Sequence, residues 1–263
     1  MARGRTRQVL VERFDDGRRL RRDPDQVVVE EPLEVRLDGN LVATTMRTPG
    51  HDFELAAGLC FTDGLLAGAP VVLCRYCSEC GSGAATEFNV VTVETGGKAP
   101  VPTPRLGTTT SSCGLCGSTS IAELRDRLAP VELASPFPLD VLASLPDALG
   151  EQQQLFAATG GVHCAAAVDH AGTAVVVRED IGRHNAVDKV VGRLLLDGGL
   201  PAPGLALYVS GRASFEIVIK AWAAGYAAIA AVSAPSSLAV EAATTAGITL
   251  AGFVRNGRMN VYC

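Results

Sequence analysis

No stretch of this sequence suits a bilayer crossing; the apolar run Ala221 to Ala234 is too short and too rich in alanine. Nothing near the start has signal-peptide form, because the Arg-rich beginning has no apolar segment behind it. A cytoplasmic chain without membrane contact is therefore expected. Clustered positive charge is also scarce, and the formal net charge is −5. Basic residues crowd only between Arg3 and Arg22, where aspartates interrupt them. A solvated tail or edge strand is the plain reading of that segment; a docking arm for an acidic partner is the sharper one. Nucleic-acid backbones are held by clustered cations, so no nucleic-acid polymer is expected as a partner. Internal repeats and long low-complexity tracts are absent.

What is present is ample core. Apolar residues make up 48% of the 263 residues, enough for one large domain or two small ones, and too many for disorder over most of the length. In a reducing compartment the eight cysteines should be mostly reduced. Their clustering then points to metal or redox chemistry rather than structural disulfides.

Along the chain, Gln26 to Thr45 alternates and carries Asp38-Gly39-Asn40 at its centre, predicting two strands and a tight hairpin. Thr48-Pro49-Gly50 breaks the strand, and a helix is predicted from His51 to Asp63, with Asp52 and Glu54 in its first turn. Thr86 to Thr95 predicts another strand, and a Gly/Pro/Thr-rich connector follows from Gly96 to Thr110. Ser118 or Thr119 can cap a helix running to Leu128.

The second half changes character. Two β-like segments, Ala165 to Val168 and Thr173 to Val177, precede a helix from Asn185 to Leu196. Strand Leu205 to Ser210, helix Ala213 to Ala224, strand Ala227 to Val232, helix Ser236 to Ala246 and strand Ile248 to Val254 then alternate. Such alternation indicates an α/β fold on a mainly parallel or mixed sheet.

Five groups of residues carry chemistry. The dithiol Cys113-Gly114-Leu115-Cys116 sits between small, flexible neighbours that give other molecules access to its sulfurs. It can hold metal, cycle a disulfide or carry a sulfur atom; an ordinary thiol-bearing turn is the bland alternative. Cys74, Cys77 and Cys80 form a C-x-x-C-x-x-C cluster that suits zinc or part of an iron–sulfur site, or else a solvent loop with incidental thiols. Cys113 lies too far beyond Cys80 for the roughly 15–20-residue spacer of a compact zinc ribbon. Cys60 falls on the apolar face of a predicted helix and reads as core, and Cys263 as an exposed thiol.

The other three groups are cationic turns. Arg178 to Lys189 is dense in charge at a strand-to-helix junction, and Arg183, His184 and Lys189 can meet an anion at the helix start. The alternative is a salt-bridged helix terminus in which Glu179, Asp180 and Asp188 neutralise the cations. Ser210-Gly211-Arg212 follows another strand and suits phosphate, although the spacing is not that of a Walker loop; a plain N-cap is the alternative. Phe253-Val254-Arg255-Asn256-Gly257-Arg258 carries an Asn-Gly turn signal between two arginines. Three cationic turns after three strands predict a cleft for a large phosphorylated ligand.

Several strings become recognisable together: Thr48-Pro49-Gly50-His51-Asp52, Ser112-Cys113-Gly114-Leu115-Cys116-Gly117, Gly160-Gly161-Val162-His163, Glu179 through Lys189, and Ser210-Gly211-Arg212. In this order they resemble the formate dehydrogenase accessory sulfurtransferase family, FdhD, from about Gln26 to the C-terminus. The resemblance implies a homodimeric sulfur carrier. It takes sulfane sulfur from a cysteine desulfurase and passes it to the molybdenum cofactor, a bis-molybdopterin guanine dinucleotide destined for formate dehydrogenase. It also implies a persulfide on Cys113, with Cys116 as second thiol, cofactor binding by Phe253 through Arg258, and no tightly bound metal.

The implied fold is α+β overall. A cytidine-deaminase-like mixed sheet with flanking helices stands behind a smaller N-terminal α+β domain. The division expected is a basic tail over 1–25, the small domain over 26–107, the dithiol loop over 108–118 and the α/β domain over 119–263. Two other uses of the dithiol are weighed, a zinc-binding chaperone and a thiol–disulfide oxidoreductase. A zinc deaminase is a further rival, but its H-x-E and P-C-x-x-C signatures are replaced by His184-Asn185-Ala186 and Ser210-Gly211-Arg212-Ala213-Ser214.

Overall fold

A computed structural model describes residues 4–77, 88–102, 108–109, 128–132 and 135–263. Within the Arg-rich beginning, Thr6–Asp15 (β1) and Arg18–Val28 (β2) form an antiparallel ribbon. The turn is Asp16-Gly17, both at positive φ (45° and 76°), so a short hairpin signal sits inside what reads as a tail by charge alone.

The first sheet has the order β5-β6-β3-β4-β7. Its strands are Glu31–Leu37 (β3), Asn40–Arg47 (β4), Leu73–Tyr76 (β5), Val90–Glu94 (β6) and Thr108–Thr109 (β7). The expected hairpin turn at Asp38-Gly39 is present, with φ of 47° and 85°. Helix Asp52–Thr62 (α1) packs Leu55, Leu59 and Cys60 onto Leu33, Val35, Val91 and Val93. Cys60 is core, as its helical position predicts.

The second sheet has the order β13-β12-β11-β10-β8-β9. In chain order come Leu139–Ala148 (α2), Gln154–Thr159 (α3), His163–Asp169 (β8), Ala174–Asp180 (β9) and Arg183–Leu196 (α4). Leu205–Val209 (β10), Phe215–Ala224 (α5), Ala228–Ala231 (β11), Ser237–Ala246 (α6), Thr249–Arg255 (β12) and Arg258–Val261 (β13) follow. Strands β10, β11 and β12 are parallel; β8 is antiparallel to both β9 and β10. The sheet is therefore mixed, as the alternation of strands and helices predicts.

Side chains sort to the two faces with period two. Ala165, Ala167, Leu207, Val209, Ile229 and Ala231 face a cluster shared with α4, α5 and α6. Cys164, Ala166, Val168, Ala206, Tyr208 and Ala230 face the other way, toward Leu142 and Leu145 of α2. Helices α2 and α3 have no counterpart in the sequence reading. Pro146 lies inside the first, and the second has only six residues, so neither carries a strong periodic signal.

The two sheets are joined through α1 and α4. A Cβ at Gly58 would overlap the Asp188 carbonyl, and one at Gly192 would overlap the Glu54 carbonyl. Glycine at both positions lets the helix backbones cross this closely. Beside the crossing, Arg178 donates to both Glu54 carboxylate oxygens, at 2.5 and 2.8 Å. Burial alone raises the Glu54 pKa, but hydrogen bonds from Arg178 and His51 outweigh it and hold it down at about 2.

The folded chain thus binds this proton less readily than the unfolded chain. Its contribution is complete above the ordinary glutamate range and drains away as the pH falls toward 2. Unfolding midpoints measured from pH 5 downward should therefore decline less steeply in Glu54→Gln than in the parent. Parallel curves would refute that assignment.

Candidate functional site

Direction in the second sheet sets the site. Because β8 is antiparallel to both of its neighbours, β9 runs the same way as β10, β11 and β12. The C-terminal ends of all four strands share one edge. The segments after β9, β10 and β12, the three cationic turns picked out in the sequence, therefore stand along that edge. From β12 to β9 there are four strand spacings, roughly 19 Å. Strand β8 begins at the same edge with His163, and β13 with Arg258.

At the β12 end lies a cavity of about 620 Å³ lined by Phe253, Arg255, Asn256, Arg258, Met259 and Asn260. Asn256 and Gly257 turn the chain with φ of 51° and 68°, which is what the Asn-Gly signal predicts. Arg255 and Arg258 pair across the hairpin, so two exposed guanidinium groups flank its turn. Phe253 has φ 54°, a strained value for a bulky residue, at an irregularity between Gly252 and Arg255. Gly252 is hemmed in by Pro235, Tyr262 and the Ser233 carbonyl, and the Phe253 amide donates to that carbonyl at 3.2 Å. The consequence is an aromatic side chain left exposed at the cavity. Val254, grouped with these residues in the sequence reading, points into the core and is fully buried, so it offers a ligand nothing.

The middle of the edge holds His163, Arg183, His184 and the segment Ser210-Gly211-Arg212. Ser210 Oγ accepts from the Cys164 amide at 2.9 Å, tying β8 to β10. His184 Nε2 stands 2.7 Å from Glu216 Oε2, an ion-pair distance, although the alignment is poor for a hydrogen bond. Arg212 is exposed. Lys189 is not part of this group, and its assignment as an anion ligand is corrected. Its side chain is fully buried, with Nζ 2.6 Å from Asp180 Oδ2 and donating to the Thr48 carbonyl at 2.9 Å.

The charged string therefore divides in two. Asp180 also accepts from the Thr48 amide and from Asn185 Nδ2, and Asn185 reaches the Met46 carbonyl. Asp188 is bound by Lys220 and Thr62. Glu179 accepts from the Leu155 and Phe156 amides at the start of α3. These acids serve the joint between the two sheets and the start of α3, whereas Arg183 and His184 stand at the sheet edge. The salt-bridge alternative explains Asp180, Asp188 and Lys189, and His184 stands against Glu216 as well, so Arg183 is the cation of the string left at the sheet edge without a described carboxylate partner.

Cys113 and Cys116 lie outside the described residues, as do Cys80 and most of the helix expected after Ser118. The chain enters this region from β7, which pairs with β4, and leaves it at Leu128 to Val131. There the Ala129 carbonyl accepts from Trp222 Nε1, and the Val131 amide donates to the Ala246 carbonyl. The dithiol segment thus connects the two sheets.

Cys60, Cys74 and Cys164 are poor nucleophiles. Burial pushes the Cys60 thiol far up, Cys74 to about 11 and Cys164 to about 12. Cys77 is buried and disulfide-bonded. Cys263, expected as an exposed thiol, is half-buried, with Sγ 3.4 Å from the Ile248 carbonyl. Native protein treated with iodoacetamide at about pH 8 should leave Cys60 and Cys164 unlabelled until denaturant is added. Rapid native labelling of Cys164, detected by peptide mass spectrometry, would contradict this picture.

Among the described residues no helix is long and apolar enough to cross a membrane. No group of three or more His, Cys, Asp or Glu side chains there is placed to hold a metal ion.

Comparison with known proteins gives one answer at three levels. A family model described as the FdhD/NarQ family matches residues 28–263. The sulfur carrier protein FdhD of Streptomyces avermitilis is 48% identical over 250 residues, covering 91% of this chain and 87% of that protein. The sulfur carrier protein FdhD of Mycolicibacterium paratuberculosis is 47% identical over 245 residues, covering 91% and 90%. The crystal structure of a formate dehydrogenase accessory protein from Desulfotalea psychrophila superposes with a TM-score of 0.77 at 25% identity, covering 98% of this chain and 97% of that one.

Proposed function

The chain belongs to the FdhD/NarQ family, and on that premise we propose that it is a cytoplasmic sulfurtransferase that serves formate dehydrogenase. It carries sulfane sulfur on Cys113, received from a cysteine desulfurase, and delivers it to the molybdenum cofactor, bis-molybdopterin guanine dinucleotide, which it holds as cargo. The observation that carries the reading is the similarity to proteins named sulfur carriers across 91% of the chain. The state of other thiols supports it: burial raises the pKa of Cys60, Cys74 and Cys164, and Cys77 is disulfide-bonded.

The first transfer needs no outside oxidant. The Cys113 thiolate attacks the outer sulfur of the desulfurase persulfide; the new S–S bond forms as the old one breaks, and the desulfurase thiol leaves with the proton. Release has a balanced route through Cys116. Its thiolate attacks the inner sulfur of the Cys113 persulfide, expelling hydrosulfide and leaving a Cys113–Cys116 disulfide.

Cargo binding falls to the hairpin cavity. Phe253 presents a ring for a purine to stack on, and Arg255 and Arg258 present two guanidiniums for its phosphates. A homodimer is part of the same reading, with two such edges per particle. Incubation with a cysteine desulfurase and ³⁵S-labelled cysteine should label the chain, and thiol reductant should remove the label. No label in the presence of an active desulfurase would overturn the carrier role. The double variant Arg255→Ala, Arg258→Ala should bind guanosine diphosphate about 100-fold more weakly in calorimetry. Unchanged affinity would move the cargo site elsewhere.

A further inference from the structure

The Arg-rich beginning is folded into a ribbon, and one face of that ribbon is bare. We propose that the β1–β2 ribbon is an exchange arm: its apolar face docks on helix α2 of a second copy of this chain, and the second copy's ribbon docks in return. A homodimer belongs to the function proposed above; the element that joins it is the new inference.

The ribbon is anchored at its root. The Val29 amide donates to the Arg5 carbonyl, Arg5 donates to the Glu179 carbonyl at 3.3 Å, and Val28 lies against Gly161. Between Arg7 and Gln26, no hydrogen bond or ion pair among the described residues reaches the rest of the chain. A two-stranded ribbon on its own is marginally stable in water. Ladder parity sorts its side chains to two faces. On one face Arg13 and Arg21 both pair with Asp23. On the other, Leu10 stands opposite Pro24 and Phe14 opposite Arg19, with Leu20 set beside them by the irregularity after Arg13. Leu10, Phe14 and Leu20 are 62%, 58% and 62% exposed. Large apolar side chains gathered on one bare face mark a contact surface.

Charge selects the occupant. Residues 1–28 hold eight arginines against five acids, a formal +3; the rest of the chain holds 15 lysines and arginines against 23 acids, a formal −8. The ribbon is thus complementary to the body of its own kind. Helix α2 offers the matching surface. Asp140 and Asp147, seven residues apart, share its outward face, and Leu139 beside them is 48% exposed. Neither carboxylate has an ion-pair partner among the described residues, and the same holds for Arg18 at the ribbon tip and Arg22 on its apolar face. Ten residues of β1 make a ribbon about 34 Å long and roughly 10 Å wide. Two such faces docked reciprocally bury roughly 1,300 Å² over both partners, enough for a stable interface.

Sedimentation equilibrium of the full-length chain, under reductant, reads the assembly. The parent should dimerise at micromolar concentration. Leu10→Asp, Phe14→Asp, Leu20→Asp together should weaken dimerisation about 100-fold or more. Arg18→Glu, Arg22→Glu should weaken it about 10-fold, and adding Asp140→Lys, Asp147→Lys should bring it back to within about threefold of the parent. Trp222 is the single tryptophan and is buried in the core of the second sheet, so its emission reports that each variant is folded. A folded triple variant that dimerises like the parent would overturn the arm and spare the homodimer. A charge exchange that restores nothing would overturn the seat on α2. A parent monomeric at about 100 µM would overturn the arm and the homodimer together. Sulfur loading enters none of these outcomes, so the carrier role and the arm fail separately.

Discussion

Replacing Cys113 with alanine should reduce formate dehydrogenase activity to background in cells that depend on this chain, a loss of about two orders of magnitude or more. The reason is chemical: a sulfur carrier needs an accessible thiolate, and a methyl group cannot hold a persulfide. Four of the five described cysteines are not placed to substitute. Cys60 and Cys164 are buried with raised pKa values, Cys74 is pushed up to about 11, and Cys77 is disulfide-bonded. Cys116→Ala should cost less, because it removes the proposed release step and leaves the acceptor. Full activity with Cys113→Ala, at matched protein level, would sink the assignment.

Lys189→Met should lower the free energy of unfolding by about 3–5 kcal/mol, the usual cost of stranding one member of a buried ion pair. Both partners are completely buried, and the lysine also donates to the carbonyl of Thr48, the residue after β4. Methionine keeps most of the stem and removes the charge, leaving Asp180 buried without its cation. Asp180→Asn added to Lys189→Met should recover much of the loss, since the asparagine oxygen can still accept from Thr48 and Asn185. Urea unfolding measures both. A single variant within about 1 kcal/mol of the parent would show that the joint between the sheets is held mainly by the Gly58–Gly192 crossing.

Much of the architecture is legible in the sequence because local signals agree with the fold. The run from β10 to β12 follows from strands and helices of ordinary length in alternation. The Asn256-Gly257 turn follows from its dipeptide, and the cavity beside it contains four of the six residues singled out there. Lys189 resembles an anion ligand by the local charge density, whereas helical period places it on a buried face. Asn185, Asp188, Lys189 and Gly192 recur at i, i+3, i+4 and i+7, the mark of one helix face. That face meets α1 and the end of β4, as the contacts of Asp188 with Thr62, Asn185 with Met46 and Lys189 with Thr48 show.

Polar residues on a core-facing stripe look like a ligand site from sequence alone, because the partner surface comes from a distant segment. His163 is hard to rank for the same reason. Its neighbours Arg183 and Gly211 are brought to it by the sheet order β10-β8-β9, which no local pattern encodes. In β1 and β2 the signal is present in Asp16-Gly17 and is obscured by the surrounding arginines and aspartates.

The central claim is that this chain carries sulfur on Cys113. Intact-protein mass spectrometry after incubation with a cysteine desulfurase and cysteine tests it most directly. The parent and Cys116→Ala should each gain the mass of one sulfur atom, lost again on reduction, and Cys113→Ala should gain none. An equal gain in Cys113→Ala would contradict the account.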